Sequence, residues 1–337
     1  MERMFSVIGC QHGHIGSFIG EMIALGYSCK GIYESGDRKL AVGIAERYGV
    51  PFLDDMEEAL APEIGIVGSA ALNNEKINVI ELCESRGKHI MVDKPAVTDR
   101  DGLSRLEAVI GRGRIQVGMM LTERFRPVTM TLKRAIESGE LGDIVSLSFR
   151  KPHRLAGGAR APLFFNKENN GGLIVDILVH DFDLLRWLTG KEVTSMQSVM
   201  TKTMMPEHPT FYDVAVAQVV MEDAALAQLY ADWHTPDKSW TYGDSRLFVC
   251  GTKGSAELRL NGDPALAKEE LMFTVTGREP LARKELQPVP HKLCEDFLGG
   301  IEGKPSVLTP HDVLMVSRLT VEADEQAQLI DKTAAVV

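Results

Sequence analysis

The sequence is poor in cysteine, and its cysteines are not arranged for cross-linking or for zinc. The 337-residue chain has five, an odd number with no CxxC pair: Cys10, Cys29, Cys83, Cys250 and Cys294. A disulfide framework needs paired cysteines, and a structural zinc site needs closely spaced ones. The pattern argues against both and favours reduced thiols in the cytoplasm.

Long apolar runs and an excess of positive charge are also missing. No segment approaches the roughly 20 apolar residues of a membrane span. Only Phe5 to Ile8 are apolar before Gly9, too few for a secretory signal. The net charge of -10 argues against a nucleic-acid partner but leaves a nucleotide cofactor open, since backbone amides bind phosphates without net charge. We therefore predict a soluble cytoplasmic protein.

The first part of the chain alternates short apolar runs with amphipathic stretches. This alternation predicts a parallel sheet with helices on both faces. Strands are predicted at Phe5–Gly9, Cys29–Tyr33, Ile64–Gly68, His89–Val92 and Ile115–Met119. Helices are predicted at Ile15–Leu25, Arg38–Tyr48, Asn74–Arg86 and Arg100–Ile110.

From residue 122 onward the pattern changes to strands that follow one another, which predicts a mostly antiparallel sheet in a second domain. These strands are Ile144–Arg150, Val193–Lys202, Asp213–Met221, Ala224–Trp233, Arg246–Cys250 and Ser255–Arg259. The accompanying helices are Arg126–Glu137, Leu173–Leu188, His291–Ile301 and Val313–Ile330.

The turn after the first strand has the character of a nucleotide-binding turn. Gly9 fits the first position of a GxGxxG pattern, but Gln11 and His14 occupy the other two glycine positions. Small residues let the backbone approach a pyrophosphate at a helix N-terminus, and Gly13 and Gly16 supply that room. The alternative is a tight turn without a ligand. The surrounding strand and helix alternation favours the cofactor.

Glu34 ends the second apolar run, 25 residues after Gly9 (34 minus 9), where a ribose-binding acid belongs. Its carboxylate would repel a 2′-phosphate, so we predict NAD and leave NADP open because Arg38 lies nearby. The alternative is a surface acid. His12 and His14 have no cysteine or third ligand close in sequence, so we predict that no metal is bound there.

Lys94 follows a short apolar run, in Val92-Asp93-Lys94-Pro95. Ligands of open parallel sheets bind beyond the carboxyl ends of the strands, and Pro95 restricts the backbone there. A lysine at this edge is suited to stabilise an alkoxide-like oxygen beside a nicotinamide ring. The alternative is an exposed lysine after a strand, which is the more common fate of lysines.

Asp176, His180, Asp183 and Trp187 share one stripe of the predicted helix. His180 is suited to exchange a proton near neutral pH, and Asp176 would orient its ring or hold a substrate hydroxyl. Alternatively, Asp176 complements the helix dipole and His180 is a partly buried structural residue. We assign Asp183 and Trp187 to structure. Residues 151–172 predict a functional loop, and candidate substrate contacts are Arg124, His153, Arg154, Asn169 and His234.

Four segments together resemble the Gfo/Idh/MocA family (glucose-fructose oxidoreductase, inositol dehydrogenase and rhizopine catabolism protein). Gly87-Lys88-His89 through Asp93-Lys94-Pro95 is similar to the family's GKHV…EKP segment, and Gly171-Gly172 with Asp176, His180 and Asp183 is similar to its GGG…D…H..D helix. Glu123–Pro127 and Glu137–Gly142 resemble the segments that open its second domain. The likeness extends over nearly the whole chain.

The resemblance implies a Rossmann domain at 1–121 and a substrate-binding α/β domain at 122–337, whose open sheet face forms a homodimer or homotetramer. It implies NAD(P)-dependent hydride transfer between nicotinamide C4 and a carbinol carbon of a sugar, inositol or polyol. Lys94 and His180 would be the catalytic pair, Asp176 would position the substrate, and Lys94–Pro95 would be cis. The expected cofactor contacts are Gly9, Gln11, His12, Gly13, His14, Ile15, Glu34, Asn73, Asp93 and Lys94.

Some positions depart from the family pattern. Besides Gln11 and His14, Asp93 replaces a usual glutamate, and Lys76 stands at the histidine of T-P-N-x-x-H, of which only Asn73 is kept. Two other functions stay open: a non-catalytic dinucleotide-sensing regulator and an NAD-recycling lyase or glycosidase of the same family. Retention of the Lys94, Asp176 and His180 set disfavours the regulator, which would need none of them.

Overall fold

The computed structural model describes residues 3–156, 160–265 and 267–333, which form two compact units. The N-terminal unit contains Met1–Leu121, Glu168–Gly171 and His291–Arg318. The C-terminal unit contains Thr122–Lys167, Gly172–Pro290 and Leu319–Val337. Each unit is built around its own sheet.

The N-terminal unit alternates strands with helices along the chain. The strands are β1 (Met4–Cys10), β2 (Ser28–Tyr33), β3 (Ile66–Ala70), β4 (His89–Val92) and β5 (Val117–Met119). The helices between them are α1 (His14–Ala24), α2 (Lys39–Tyr48), α3 (Lys76–Ser85) and α4 (Arg100–Arg112). All four strand pairs are parallel, in the order β2-β1-β3-β4-β5. The predicted Rossmann-type fold is confirmed.

Local sequence explains how these helices pack and where they end. Every residue of β3 is buried, and a Cβ at Gly68 would collide with Phe18 of α1, so glycine lets the helix lie directly on the sheet. Helix α4 begins after Asp99, whose side chain accepts the N–H of Gly102 (2.8 Å). It ends at Gly113, which has a φ of +60°.

The second part of the chain supplies the remaining elements. The helices are α5 (Pro127–Glu137), α6 (Lys167–Asn170), α7 (Val179–Thr189), α8 (Leu293–Ile301) and α9 (Pro310–Glu325). The strands are β6 (Ile144–Pro152), β7 (Val193–Lys202), β8 (Val214–Met221), β9 (Leu226–Asp232), β10 (Arg246–Gly251), β11 (Gly254–Arg259), β12 (Leu271–Thr276), β13 (Ala282–Arg283) and β14 (Gln328–Asp331). No helix of the described residues has the length and apolar character to cross a bilayer.

The C-terminal unit contains one nine-stranded sheet in the order β13-β12-β11-β10-β6-β9-β8-β7-β14. The pairs β6–β9 and β7–β14 are parallel, and the other pairs are antiparallel. The prediction of a large, mostly antiparallel sheet is therefore confirmed.

Three features of this unit differ from the predicted elements. The predicted helix Val313–Ile330 ends at Glu325, and β14 then pairs with β7. Leu329 and Ile330 are exposed on this edge strand, so no buried face marked them as a strand. Strand β12 was not predicted. The predicted helix Leu173–Leu188 begins with a π-helical turn, Ile174–Leu178, before α7.

Candidate active site

The turn between β1 and α1 passes close to the end of β3. Gly9 has a φ of +82°, and a Cβ there would lie 2.6 Å from the Cα of Ala71, so glycine is required. The Gln11 amide donates to the Ala70 carbonyl oxygen (2.7 Å). By contrast, none of the described atoms lies within 4 Å of a Cβ built on Gly13. The turn therefore presents open backbone at the start of α1, where a pyrophosphate would bind.

Glu34, which directly follows β2, is hydrogen-bonded to the backbone at the start of this turn. Its carboxylate accepts the N–H groups of Cys10 and Gly36, each at 2.6 Å, and the residue is buried. Each carboxylate oxygen keeps a second lone pair for another donor. The ribose contact of Glu34 stays a prediction, and the structure adds a role in shaping the turn.

Asp93 connects the glycine turn with the end of β4. Its carboxylate oxygens lie 3.0 Å from Nδ1 of His12 and 2.8 Å from Nδ1 of His14, and the Lys76 ammonium is 4.0 Å away. Burial alone would raise the pKa of Asp93, but Lys76 and the two imidazoles outweigh burial and hold this pKa well below its usual range. Asp93 is therefore an anion that orients both histidine rings.

His12 and His14 do have a third potential metal ligand beside them, contrary to the prediction from sequence spacing. Asp93 supplies one, because ligand atoms of the three residues all lie within 4.8 Å of one another. However, the Lys76 ammonium already compensates the same carboxylate and would repel a second cation. The absence of a metal stays a prediction, now based on this lysine.

Lys76, the first residue of α3, is completely buried. Its ammonium donates to Oδ1 of Asn73 (2.8 Å) and to the carbonyl oxygens of Lys94 (3.1 Å) and Pro95 (3.2 Å). The three N–H groups of a lysine thus match three acceptors. This role of Lys76 was not predictable from the sequence, because backbone acceptors leave no signature in it.

Lys94 lies two residues after the end of β4, at the carboxyl edge of the parallel sheet, and is buried. The Lys94–Pro95 peptide bond is cis, as predicted. At the same edge, the Asn73 side chain donates to the carbonyl of Asn170 (2.8 Å), and the amide of Asn74 donates to the carbonyl of Asn169 (3.3 Å). Asn169, a predicted substrate contact, therefore belongs to the N-terminal unit.

In the C-terminal unit, Asp176 and His180 lie at the join between the π-helical turn and α7. Asp176 is within the turn, His180 is the second residue of α7, and both are buried. Single π turns inside helices occur often at functional sites. The irregular turn thus contains Asp176 and ends two residues before His180, the two side chains that the sequence assigns to this candidate site.

Arg124 and Asp183 form a buried ion pair. The guanidinium donates from Nη2 to Oδ1 (2.6 Å) and from Nε to Oδ2 (3.0 Å), and neither residue is more than 1% exposed. The structural assignment of Asp183 fits this contact. Arg124 was expected to contact substrate, and that role stays a prediction, but its observed contact with Asp183 favours a structural one.

A second buried charge cluster, which the sequence did not indicate, joins Glu123, Lys151 and Asp181. The Lys151 ammonium lies 3.1 Å from Asp181 and 3.8 Å from Glu123. Burial raises the pKa of Asp181 to about 6, although Lys151 partly offsets this. For Glu123, burial acts in the same direction, but Lys151 and Arg126 lower the pKa overall. Lys151 therefore serves both acids, and Asp181 is the one whose ionised form remains disfavoured by burial.

We expect Asp181→Asn to change how stability depends on pH. Because the pKa of about 6 in the folded protein exceeds its ordinary value of 3.8, ionised Asp181 destabilises the fold. Wild-type stability should therefore fall as pH rises from about 4 to 6, by at most about 3 kcal/mol from this group. Asparagine is neutral at every pH, so the variant should be the more stable protein above pH 6. Urea unfolding at several pH values measures the difference.

Asp183→Asn is the matched control, because Asp183 is also a buried acid of α7 with a cationic partner. Breaking its pair with Arg124 should destabilise the protein at pH 7, the opposite sign to Asp181→Asn. A loss of stability in both variants at pH 7 would contradict the conclusion that burial disfavours ionised Asp181.

Three predicted substrate contacts, His153, Arg154 and His234, lie where two neighbouring strands of the C-terminal sheet end. Strands β6 and β9 run parallel with Pro152 opposite Asp232, so His153 and His234 follow the ends of neighbouring strands. The His153 ring packs edge-on against Trp233 and Tyr242, at 5.6 and 5.2 Å between centroids. Nε2 of His234 is 2.8 Å from the carboxylate of Asp213, and Arg154 pairs with His234 through an isolated bridge. The structure thus brings these residues together.

Comparisons with known proteins agree with this architecture. Residues 129–257 match the model for the GFO/IDH/MocA C-terminal domain. The uncharacterized oxidoreductase YrbE of Bacillus subtilis (strain 168) is 30% identical over 175 residues, 50% of this chain and 48% of YrbE. The scyllo-inositol 2-dehydrogenase (NAD(+)) of the same organism is 28% identical over 241 residues, 70% of this chain and 65% of that protein.

Among solved structures, levoglucosan dehydrogenase in complex with NADH and levoglucosan has a TM-score of 0.80 and 18% identity. The match covers 96% of this chain and 97% of that chain. At this identity the likeness concerns the fold. The first curated relatives are matched over 48% to 65% of their own length.

Proposed function

We propose that this chain is an oxidoreductase of the Gfo/Idh/MocA family, because residues 129–257 match the model for that family's C-terminal domain. Within the family, we propose an NAD(H)-dependent dehydrogenase acting on a CH–OH group of a sugar, inositol or related polyol. The name of scyllo-inositol 2-dehydrogenase (NAD(+)) and the NADH complex of levoglucosan dehydrogenase support this class of substrate and this cofactor. The reverse reduction of a ketone would use the same groups.

The observation that carries the proposal is the connection between the glycine turn and the strand-end lysine. His14 of the turn contacts Asp93 at 2.8 Å, and Asp93 directly precedes Lys94. The turn offers open backbone at Gly13 for a pyrophosphate, and Lys94 stands at the same edge of the parallel sheet, where ligands of such folds bind. These residues fit a dinucleotide.

Bound NAD+ supplies the hydride acceptor of the proposed reaction. Lys94 donates a hydrogen bond to the reacting oxygen and stabilises the negative charge that develops on it. His180 removes the hydroxyl proton as the general base, and Asp176 orients the imidazole or a neighbouring substrate hydroxyl. His180 lies on α7, Asp176 lies in the π-helical turn before it, and Lys94 is two residues beyond the end of β4.

We expect Gly13→Val to weaken NADH binding by about tenfold or more, because the side chain would fill the open space beside the turn. Gly43→Val in α2 is the matched control, since the described atoms also leave the space around Gly43 empty. Calorimetric titration with NADH measures both affinities. Equal affinities for the two variants would contradict a cofactor at this turn. Titrations with NADP+ and NADPH test whether Glu34 excludes a 2′-phosphate.

Turnover is tested by following absorbance at 340 nm with NAD+ and a panel of sugars and inositols. A steady change with at least one member supports net oxidation. Product formation without a steady change would instead identify an NAD-recycling lyase or glycosidase. NADH binding without any chemistry on the panel would favour the dinucleotide-sensing regulator.

We also propose a homodimer or homotetramer formed through the open face of the C-terminal sheet. Leu226 of β9 and Phe248 of β10 are exposed apolar side chains, paired with Ser146 and Ser148 of the strand between them. A partly apolar sheet face of this kind is typical of interfaces. A solution mass of one chain by light scattering would contradict this assembly.

A further inference from the structure

Arg160 is held in an aromatic frame at the sheet edge where β6 and β9 end. Its guanidinium carbon lies 3.9 Å from the ring centre of Phe164 and 4.7 Å from that of Trp233. Nη2 donates to the hydroxyl of Tyr242 (2.8 Å), and Nε donates to the carbonyl of Leu155 (2.6 Å). Two rings, a hydroxyl and a carbonyl therefore fix the orientation of this guanidinium.

No acid neutralises this arginine among the residues that the structure describes. The two buried acids of the same edge are engaged elsewhere. Asp213 accepts from the hydroxyl of Thr203 (2.5 Å) and lies 2.8 Å from Nε2 of His234, and Asp232 accepts the His234 amide (2.7 Å). Arg160 is half-buried, and its Nη1 donates to no group of the described chain. The cation thus keeps donors for a ligand.

We propose that Arg160 binds an anionic group of the substrate, a carboxylate or a phosphate, so that this enzyme prefers an acidic sugar or polyol. The inference rests on the proposed dehydrogenase function and adds a substrate class to it. A planar guanidinium has parallel N–H donors that match both anions. His153, a predicted substrate contact, packs on Trp233 and Tyr242, the same two residues that hold Arg160.

The same arrangement disfavours neutral substrates. A substrate that covers Arg160 removes water from a charge that has no acidic partner in the described chain, and this costs free energy unless the substrate supplies the opposite charge. An anion restores the balance with charge-assisted hydrogen bonds, each worth about 1.5 to 3 kcal/mol, which corresponds to a factor of roughly 10 to 150 in affinity. Selectivity for an anionic substrate therefore has two sources: the hydrogen bonds that the anion makes with Arg160, and the cost of covering this charge with a neutral substrate.

The test compares matched substrates with three variants. The sets are glucose, glucuronate and glucose 6-phosphate, and inositol with inositol 1-phosphate, each assayed with NAD+. The variants are Arg160→Met, Arg160→Lys and the control Arg150→Met. Arg150 is exposed and also lies over an aromatic ring, at 5.0 Å from the centre of Tyr230, so the control removes the same charge and the same kind of contact.

We expect the wild-type KM for the best acidic member to be about tenfold or more below that of its neutral partner. Arg160→Met should raise the acidic KM by roughly 10 to 100-fold and change the neutral KM by less than about threefold. The acidic KM of Arg160→Lys should be intermediate, because lysine keeps the positive charge but lacks the parallel N–H donors of a guanidinium. Arg150→Met should behave as wild type.

Preference for the carboxylate or for the phosphate supports the proposal and identifies the anion. A lower KM for the neutral member, or equal effects of Arg160→Met on both members, overturns it and leaves the dehydrogenase proposal intact. If no member is turned over, the function proposal fails, and calorimetric titration of the NADH-loaded protein with glucuronate and glucose 6-phosphate decides about Arg160. Binding that weakens about tenfold in Arg160→Met supports the site, and equal or absent binding overturns it.

Discussion

Replacing Lys76 with methionine is expected to lower the free energy of unfolding by about 3 to 5 kcal/mol, the usual loss when one partner of a buried ion pair is removed. The Lys76 ammonium bonds to Asn73 and to the carbonyls of Lys94 and Pro95, and it lies 4.0 Å from Asp93. Methionine has a similar length but leaves the carboxylate and three acceptors without this cation. Urea unfolding at constant pH measures the loss.

Lys88 provides the matched control for this change. It is a second buried lysine of the N-terminal unit, and its ammonium donates to the carbonyls of Ala61 (2.8 Å) and Ile64 (2.7 Å). Lys88→Met should cost about 1 to 3 kcal/mol and leave NADH binding unchanged. Lys76→Met should also weaken NADH binding, by roughly tenfold, because Asp93 would no longer be held as the anion that orients His14.

The comparison separates two roles of the lysine. Unchanged NADH affinity in both variants would show that Lys76 serves only the stability of the fold. A selective loss in Lys76→Met, measured well below both melting temperatures, would show that the ammonium also prepares the glycine turn for its ligand.

Replacing His180 with glutamine is expected to lower kcat by a factor of about 10² to 10⁴, the usual contribution of a general base. Glutamine keeps polar atoms of similar reach, but it cannot accept the hydroxyl proton. NADH affinity should stay within about twofold of wild type, because cofactor contacts are expected from the N-terminal unit. Steady-state rates between about pH 5 and 8 should lose the limb that a titrating histidine gives.

His208→Gln is the control for this substitution. His208 is another histidine of the C-terminal unit, and its ring stacks on Phe165 at 4.6 Å between centroids. The control should keep near wild-type turnover. Activity retained in His180→Gln would remove this residue as the base, whereas an equal loss in both variants would indicate general damage to the unit.

The sequence was sufficient for the architecture because buried strands carry a strong signal. In β3 every residue is buried, so Ile66–Ala70 reads as a continuous run of apolar and small residues. The strand β14 is the counterexample. All four of its residues are exposed, and it is defined by backbone pairing with β7 rather than by a buried face. Without that partner, a helix extended through Leu329 and Ile330 was an equally good interpretation.

The sequence indicated which residues belong to the candidate site, but it did not indicate which of them contact each other. Arg124 and Asp183 were both singled out, yet their ion pair spans 59 positions and no spacing rule links them. Asp93 and His14 are separated by 79 positions. Their contact was therefore not predictable, although it gives His14 a carboxylate neighbour. The sequence does not single out Arg160, because its environment depends on Trp233, which lies 73 positions away in the chain (233 minus 160).

The contacts of Lys76 have a consequence for how this position can change among similar sequences. Two of its acceptors are main-chain carbonyls, and every amino acid at positions 94 and 95 would offer the same oxygen. Exchange of histidine for lysine at position 76 therefore need not be accompanied by a compensating change in the residues it holds. Covariation between aligned columns, which depends on paired side-chain changes, should therefore not detect this connection between α3 and the segment after β4.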